Sequence, residues 1–142
     1  MSQGGRENKS KAKLSYLDDF PHALKAIAKV CEYGSEGKPI KGTDKKGYGK
    51  RNWKKGLPIT EVYDSQRRHE IQFFGQGILF DQEALDHGWV LHHLAMASWN
   101  SLAKLEMYLT RPDMDDRALT PTECEDELTQ GEYASTCTHK EK

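Results

Sequence analysis

In the last third of the chain, Leu91, Ala95, Ser98, Leu102, Leu105 and Leu109 recur at i, i+4, i+7, i+11, i+14 and i+18. That spacing draws a stripe along one side of a helix, and it predicts a helix from about Trp89 to Leu109, closed by Arg111-Pro112. A helix of this length must bury its apolar side against other elements, and the preceding sequence supplies two. Pro21, at a first-turn position after Asp18 and Asp19, opens a helix carrying Leu24, Ile27, Ala28 and Cys31, which Gly34 ends. Thr60 has the chemistry of an N-cap for another that runs to Phe74, with Val62, Gln66, His69 and Phe73 on one face and Gly75-Gln76-Gly77 stopping it. No stretch alternates like a strand and no repeat occurs, so the expected fold class is all-α: a compact domain of three to four helices over residues 14–110. Three helices make a thin core, and the last is apolar on more than one side from Trp89 to Ala103. A homo-oligomer, dimer or tetramer, is therefore expected.

The formal net charge of -1 hides a strong asymmetry. Between Lys38 and Lys55 eight basic residues stand against one acid, Asp44. The same segment, from Gly34 to Pro58, holds six glycines and two prolines, which excludes a helix and makes it a long basic, glycine-rich loop. Clustered cations repel one another unless an anion neutralises them, so such a loop either binds phosphates or is a solvated surface run. Its length and its aromatic anchors, Tyr48 and Trp53, favour a functional loop. From Arg111 onward nine acids face four bases and apolar residues are scarce, so residues 111–142 are expected to be a disordered acidic tail. Residues 1–13 are expected to be a disordered basic N-terminus. They contain no apolar run of the kind a secretion signal needs, and no stretch is long and apolar enough for a membrane span. Cys31, Cys124 and Cys137 are odd in number and form no CxxC pair, which fits a reducing cytoplasm better than a disulfide framework or a thiolate zinc site.

The chemistry-bearing side chains are few. His69 and the pair His92-His93 offer imidazoles, which bind divalent metals and exchange protons near neutral pH, although a histidine in such a place is also commonly a plain core residue. On the last helix His93, Ala97 and Asn100 share a face, so an imidazole and an amide project side by side from an apolar surface. Glu70, Asp81, Glu83 and Asp86 lie near the histidines in sequence, and Glu32 closes the first helix. Magnesium prefers several carboxylate oxygens, whereas cobalt, manganese or zinc accept the mixed imidazole and carboxylate set present here. In the loop, Tyr48 and Trp53 interleave with Lys50, Arg51 and Lys54, combining stacking faces for a base with cations for phosphates. No P-loop, HExxH or His-Asp doublet occurs, the last arguing against triphosphohydrolase chemistry of the HD type.

Tyr33-Gly34, the run from Gly49 through Lys50, Arg51, Asn52, Trp53, Lys54, Lys55 and Gly56 to Pro58, Arg68-His69, and the segment from His92 to Asn100 together resemble the phage dATP/dGTP diphosphohydrolase family. The likeness covers roughly residues 13–109. It implies a MazG-like all-α domain and metal-dependent cleavage of a purine dNTP to dNMP and pyrophosphate, in the cytoplasm of an infected bacterium. There the activity would remove dATP and supply dGMP for 2-aminoadenine nucleotide synthesis. On this resemblance His69, Asp81, His92 and Glu32 are the expected metal ligands for Co2+, Mn2+ or Mg2+. His69, His93 and Asn100 are the expected catalytic groups, Asn100 reading the base or orienting a histidine. Lys50, Arg51, Lys54 and Arg68 are expected on phosphates, and Tyr48 and Trp53 on the base. Where the family pattern has Gly-Glu after the second helix and His-His-Leu-Ala-His in the third, this chain has Gly75-Gln76 and Met96. The expected partner is the purine dNTP, with no membrane and no direct nucleic acid. The competing reading is a non-catalytic nucleotide- or nucleic-acid-binding protein acting through the basic 38–55 loop.

Overall fold

A computed structural model of the chain describes residues 11–118. Most of the basic N-terminus and the acidic tail beyond Ala118 lie outside the described residues. Helix α1 spans Pro21–Glu32, α2 Ile59–Glu70, α3 Gln82–Asp86 and α4 His93–Thr110. Short 3-10 turns at Leu14–Asp19, Asn52–Lys55 and Pro112–Met114 join or flank them. Among the described residues the only extended pairings are two isolated antiparallel bridges, Pro39 with Lys46 and Phe80 with His92. The all-α expectation is met. No helix among these residues is long and apolar enough to cross a membrane.

Both α1 and α2 end in the same way, in a wider π-turn: Tyr33–Gly37 follows α1 and Ile71–Gly75 follows α2. Glycine therefore does not break α1 at residue 34 as the sequence suggested. The backbone instead loosens through Gly34 and closes when the Lys38 amide donates to the Tyr33 carbonyl at 2.7 Å. Thr60 is not the N-cap either. The helix begins one residue earlier, after Pro58, and no side chain from the preceding residue caps it.

The last helix starts four residues later than its periodicity predicts, because its first stretch is claimed by another element. Asp81 donates its amide to the Leu91 carbonyl at 3.0 Å and His93 donates to Leu79 at 2.9 Å, which holds residues 89–92 extended against the 79–84 connection. Once α4 begins, its buried side is His93, Ala97, Asn100, Ala103 and Met107, and it runs antiparallel to α2, whose buried residues are Ile59 and Val62. The two alanines let the helix backbones approach closely. Val30, Tyr33, Ala84, Leu91 and Ala95 form the second part of the core, between α1, α3 and α4. The leucine row that announced the helix faces outward instead: Leu102, Leu105 and Leu109 are 50 %, 56 % and 41 % exposed.

The glycine-rich loop is folded back on the end of α1. Gly47 donates to Lys38 at 2.7 Å, and Tyr48 and Gly49 donate to Gly34 and Ser35 at 3.0 Å each. Gly47 has a φ of +81°, and a Cβ there would strike the Ser35 carbonyl, so the close return of the loop requires glycine. Trp53 then docks edge-on against Trp99 with ring centroids 5.8 Å apart.

Composition places the end of the domain at residue 110, and the first residues beyond it hydrogen-bond back to the loop before α2 and to its first turn. Arg111 donates to the Lys55 carbonyl at 3.0 Å and pairs with Asp113 at 2.8 Å, and Arg117 pairs with Asp115 at 2.8 Å. Asp116 accepts from the Thr60 amide at 3.1 Å and from its hydroxyl, satisfying a first-turn donor of α2 that the residues before the helix leave open. Each acid in this strap has a cation or a helix N-terminus to face, which is why local charge did not expel it. Asp116→Ala is expected to lower the thermal midpoint by a few degrees, Thr60→Val by a similar amount, and the double variant by less than the sum, as read from melting curves.

Candidate metal centre

Three chain segments meet at one end of the α2–α4 pair. The last turn of α2 brings His69, the first residue of α4 is His93, and the connection between them brings Asp81. One ligating atom from each lies within 4.8 Å of the others, and among the described residues this is the group that could hold a metal ion. The Nδ1 atoms of His69 and His93 are 2.9 Å apart, with ring centroids at 5.1 Å. His93 is fully buried and its Nε2 has no hydrogen-bond partner. Asp81 is held from behind, since its Oδ2 accepts from the Ala84 amide at 2.9 Å as the N-cap of α3.

Burial pushes the His93 imidazole below its ordinary range, and the nearby Asp81 only partly offsets this. Burial likewise lowers His69. Asp81 again opposes the shift, while His93, Arg68 and Lys38 add to it. Both shifts favour the neutral imidazole, the form that metal ligation needs. Two imidazole nitrogens this close either share a proton or share an ion. The donors, two imidazoles and one carboxylate, suit manganese, cobalt or zinc better than magnesium. The close Nδ1 pair and the pre-set Asp81 carboxylate are consistent with such an ion.

The other expected site residues divide. His92 is exposed and serves as backbone N-cap of α4, its ring against Phe80 with centroids 4.7 Å apart, so it does not join His69 and His93. The reason is local: His92 is the last extended residue before the helix, and neighbouring side chains there diverge. Glu32 is exposed at the end of α1, outside the cluster. Asn100 is buried two turns along α4 and donates to Ser65 Oγ at 3.4 Å, tying α4 to α2 below the histidines. Arg68 is exposed and its charge reaches His69.

In the loop, Tyr48, Lys50 and Arg51 are exposed. Trp53 and Lys54, with the Lys54 ammonium 5.7 Å from the indole centroid, line a groove of about 310 Å³ with Ile27, Trp99, Leu102 and Leu105. Trp99 lies six residues after His93, roughly 120° around α4 at 3.6 residues per turn, so this groove opens on another side from the histidines. Gln76 is exposed and Met96 packs against the core, so neither stands in the cluster.

Two residues at the site carried no role from the sequence. Lys38, counted only as one of a basic run, directly follows the π-turn, and its charge reaches His69. Tyr33, quoted only as part of a motif, is buried beside the Asp81 and Glu83 charges. Only the irregular turn after α1 brings either into place, and no periodicity reveals it.

The depressed imidazoles have a consequence for stability. As pH falls below their ordinary value of 6.5, the unfolded chain takes up protons that the folded chain resists, so stability is lost. The ligand-free protein is expected to melt at lower temperature at pH 5 than at pH 7, and His93→Gln to flatten that dependence, as followed by circular dichroism.

The family described as dATP/dGTP diphosphohydrolase, N-terminal, matches residues 1–117. No curated protein and no solved structure matches the chain. The match takes in all four helices, the π-turn loop, the three clustered side chains and the strap up to Arg117. The chain belongs to the dATP/dGTP diphosphohydrolase N-terminal family.

Proposed function

We propose that the protein hydrolyses purine deoxynucleoside triphosphates, dATP and dGTP, to the monophosphate and pyrophosphate with a divalent metal. The observation that carries this reading is the meeting of His69, Asp81 and His93 within 4.8 Å, with burial favouring the neutral form of both imidazoles. Water adds to the α-phosphorus, the bond from that phosphorus to the bridging β oxygen breaks, and pyrophosphate leaves. His69, Asp81 and His93 would hold the cation, and when bound it supplies Lewis-acid polarisation and a nucleophilic water at neutral pH.

The chain's own cations do the rest of the electrostatic work. The charges of Arg68 and Lys38 reach His69, and these two cations, with Lys50 and Arg51 on the adjoining loop, would neutralise the triphosphate. Asn100, through Ser65, keeps α4 in register with α2, which fixes His93 against His69. Tyr48 is the exposed aromatic available for stacking a base. Trp53 and Lys54, on the α1–α4 groove, would serve a nucleotide bound there or one reaching across from a second subunit. In the cytoplasm of a phage-infected cell, this activity would deplete dATP and supply dGMP for 2-aminoadenine nucleotides.

Incubating the full chain with each dNTP and Mg2+, Mn2+ or Co2+, and resolving products by chromatography, tests the reading. Purine dNTPs are expected to give dNMP and pyrophosphate, and His69→Ala to cut turnover at least about 100-fold. Binding of dGTP that survives His69→Ala, with no turnover under any metal, would instead support the binding-module reading.

We also propose that the chain self-associates through the outward leucines of α4, which a lone subunit leaves in water together with Leu24 of α1. Light scattering is expected to give a multiple of 16.2 kDa, and Leu105→Asp to shift the protein toward the monomer.

A further inference from the structure

The Tyr33 hydroxyl is buried with nothing to bind. The residue is 3 % exposed, its ring sits edge-on to Trp89 at 5.6 Å between centroids, and its oxygen has no hydrogen-bond partner. A phenylalanine would fill the same space without leaving a buried polar group unpaired, which is destabilising. The packing around the ring points to what the hydroxyl is for. Tyr33 shares its cluster with Ala84 and Leu91. These two residues fix Asp81: the Ala84 amide donates to its carboxylate at 2.9 Å, and the Leu91 carbonyl accepts its amide at 3.0 Å. Tyr33 thus belongs to the same buried cluster as both supports of the one carboxylate in the candidate metal group. Burial first, then the charges of Glu83 and Asp81, push the hydroxyl up to about 12, so it keeps its proton and remains a donor at any working pH.

We propose that Tyr33 is a positioning residue for the metal: with a divalent cation held by His69, Asp81 and His93, its hydroxyl donates to the Asp81 carboxylate and holds it in the ligating orientation. This rests on the reading of those three residues as a cation site. The Ala84 bond alone constrains only Oδ2, and a second donor would remove the remaining freedom of the carboxylate. Hydrogen-bond partners of metal-ligating carboxylates are commonly worth about 10–100-fold in metal affinity.

The experiment is Mn2+ titration of the full chain, followed by electron paramagnetic resonance, for wild type, Tyr33→Phe and Asp81→Ala, with melting curves recorded without metal. Tyr33→Phe is expected to bind Mn2+ about tenfold more weakly. Its metal-free melting temperature should be unchanged or higher, because the unpaired hydroxyl is gone. A purely packing role would move neither value in this combination. Mn2+ affinity within twofold of wild type in Tyr33→Phe, with Asp81→Ala impaired, overturns the proposal and leaves the cation site standing. Wild-type affinity in Asp81→Ala overturns both. If Tyr33→Phe does not fold, the Tyr33 hydroxyl proton of the wild type, followed by NMR, must move downfield on adding diamagnetic Mg2+; an unmoved signal at saturation overturns the proposal.

Discussion

The domain depends on the seam between α2 and α4. Along it, Ala97 and Ala103 give α4 a low-relief surface and α2 buries Ile59 and Val62, while His93 and Asn100 add polar groups to the buried side of α4. Buried imidazole and amide groups are tolerable only when each finds a partner, and the antiparallel register supplies them in order: His93 opposite His69, then Asn100 opposite Ser65. A shift of one turn between the helices would leave both unpaired. The polar pairs therefore set the register, while the apolar contacts supply attraction that a sliding helix could also have found. The histidine pairing and the helix packing are in this sense a single constraint, read from its two ends.

Around the open end of this seam the chain uses irregular backbone. The two π-turns, Tyr33–Gly37 and Ile71–Gly75, continue α1 and α2 by a few residues without committing to another helical turn. Such wide turns recur at functional sites because they re-aim side chains that a regular helix would point elsewhere. Here the first turn leads into Lys38, whose charge reaches His69, and the basic loop returns to Gly34 and Ser35. The helix ends also give the site a polarity. The C-terminus of α2 presents partial negative charge toward the His69 side, and the N-terminus of α4 presents partial positive charge at His93. A cation beside the first and a phosphate beside the second would each be in a favourable field.

Much of this was legible in the residues. The three long helices follow from apolar spacing, Pro21 and the glycine clusters, and the shared face of His93, Ala97 and Asn100 is the buried face of α4. The sequence singles out His69, His93 and Asp81 among its candidate residues, and among the described residues they are the group that converges. The failures have a common physical origin, which is that spacing reports a stripe but not what covers it. The leucine row from Leu102 to Leu109 identified α4 correctly and pointed its core the wrong way, because the true seam is built from small and polar residues that hydropathy undervalues. His92 looked equivalent to His93 because the break between extended chain and helix falls between them, fixed by the distant backbone bonds of Asp81 to Leu91 and His93 to Leu79. The short helix α3, with Asp81 as its cap, is five residues long and too brief to carry a periodic signal.

The strap of Arg111 to Arg117 has a geometric consequence for anything joined to the chain. By binding Asp116 to Thr60, it anchors the chain's exit at the start of α2. Thr60 and His69 are nine residues apart on one helix, or roughly 14 Å at 1.5 Å per residue. A dye, surface tether or fused domain attached just beyond Arg117 would begin at the far end of that helix from the histidines. Its attachment point therefore makes the C-terminal side the natural handle for immobilising the protein with its ligand-facing end free.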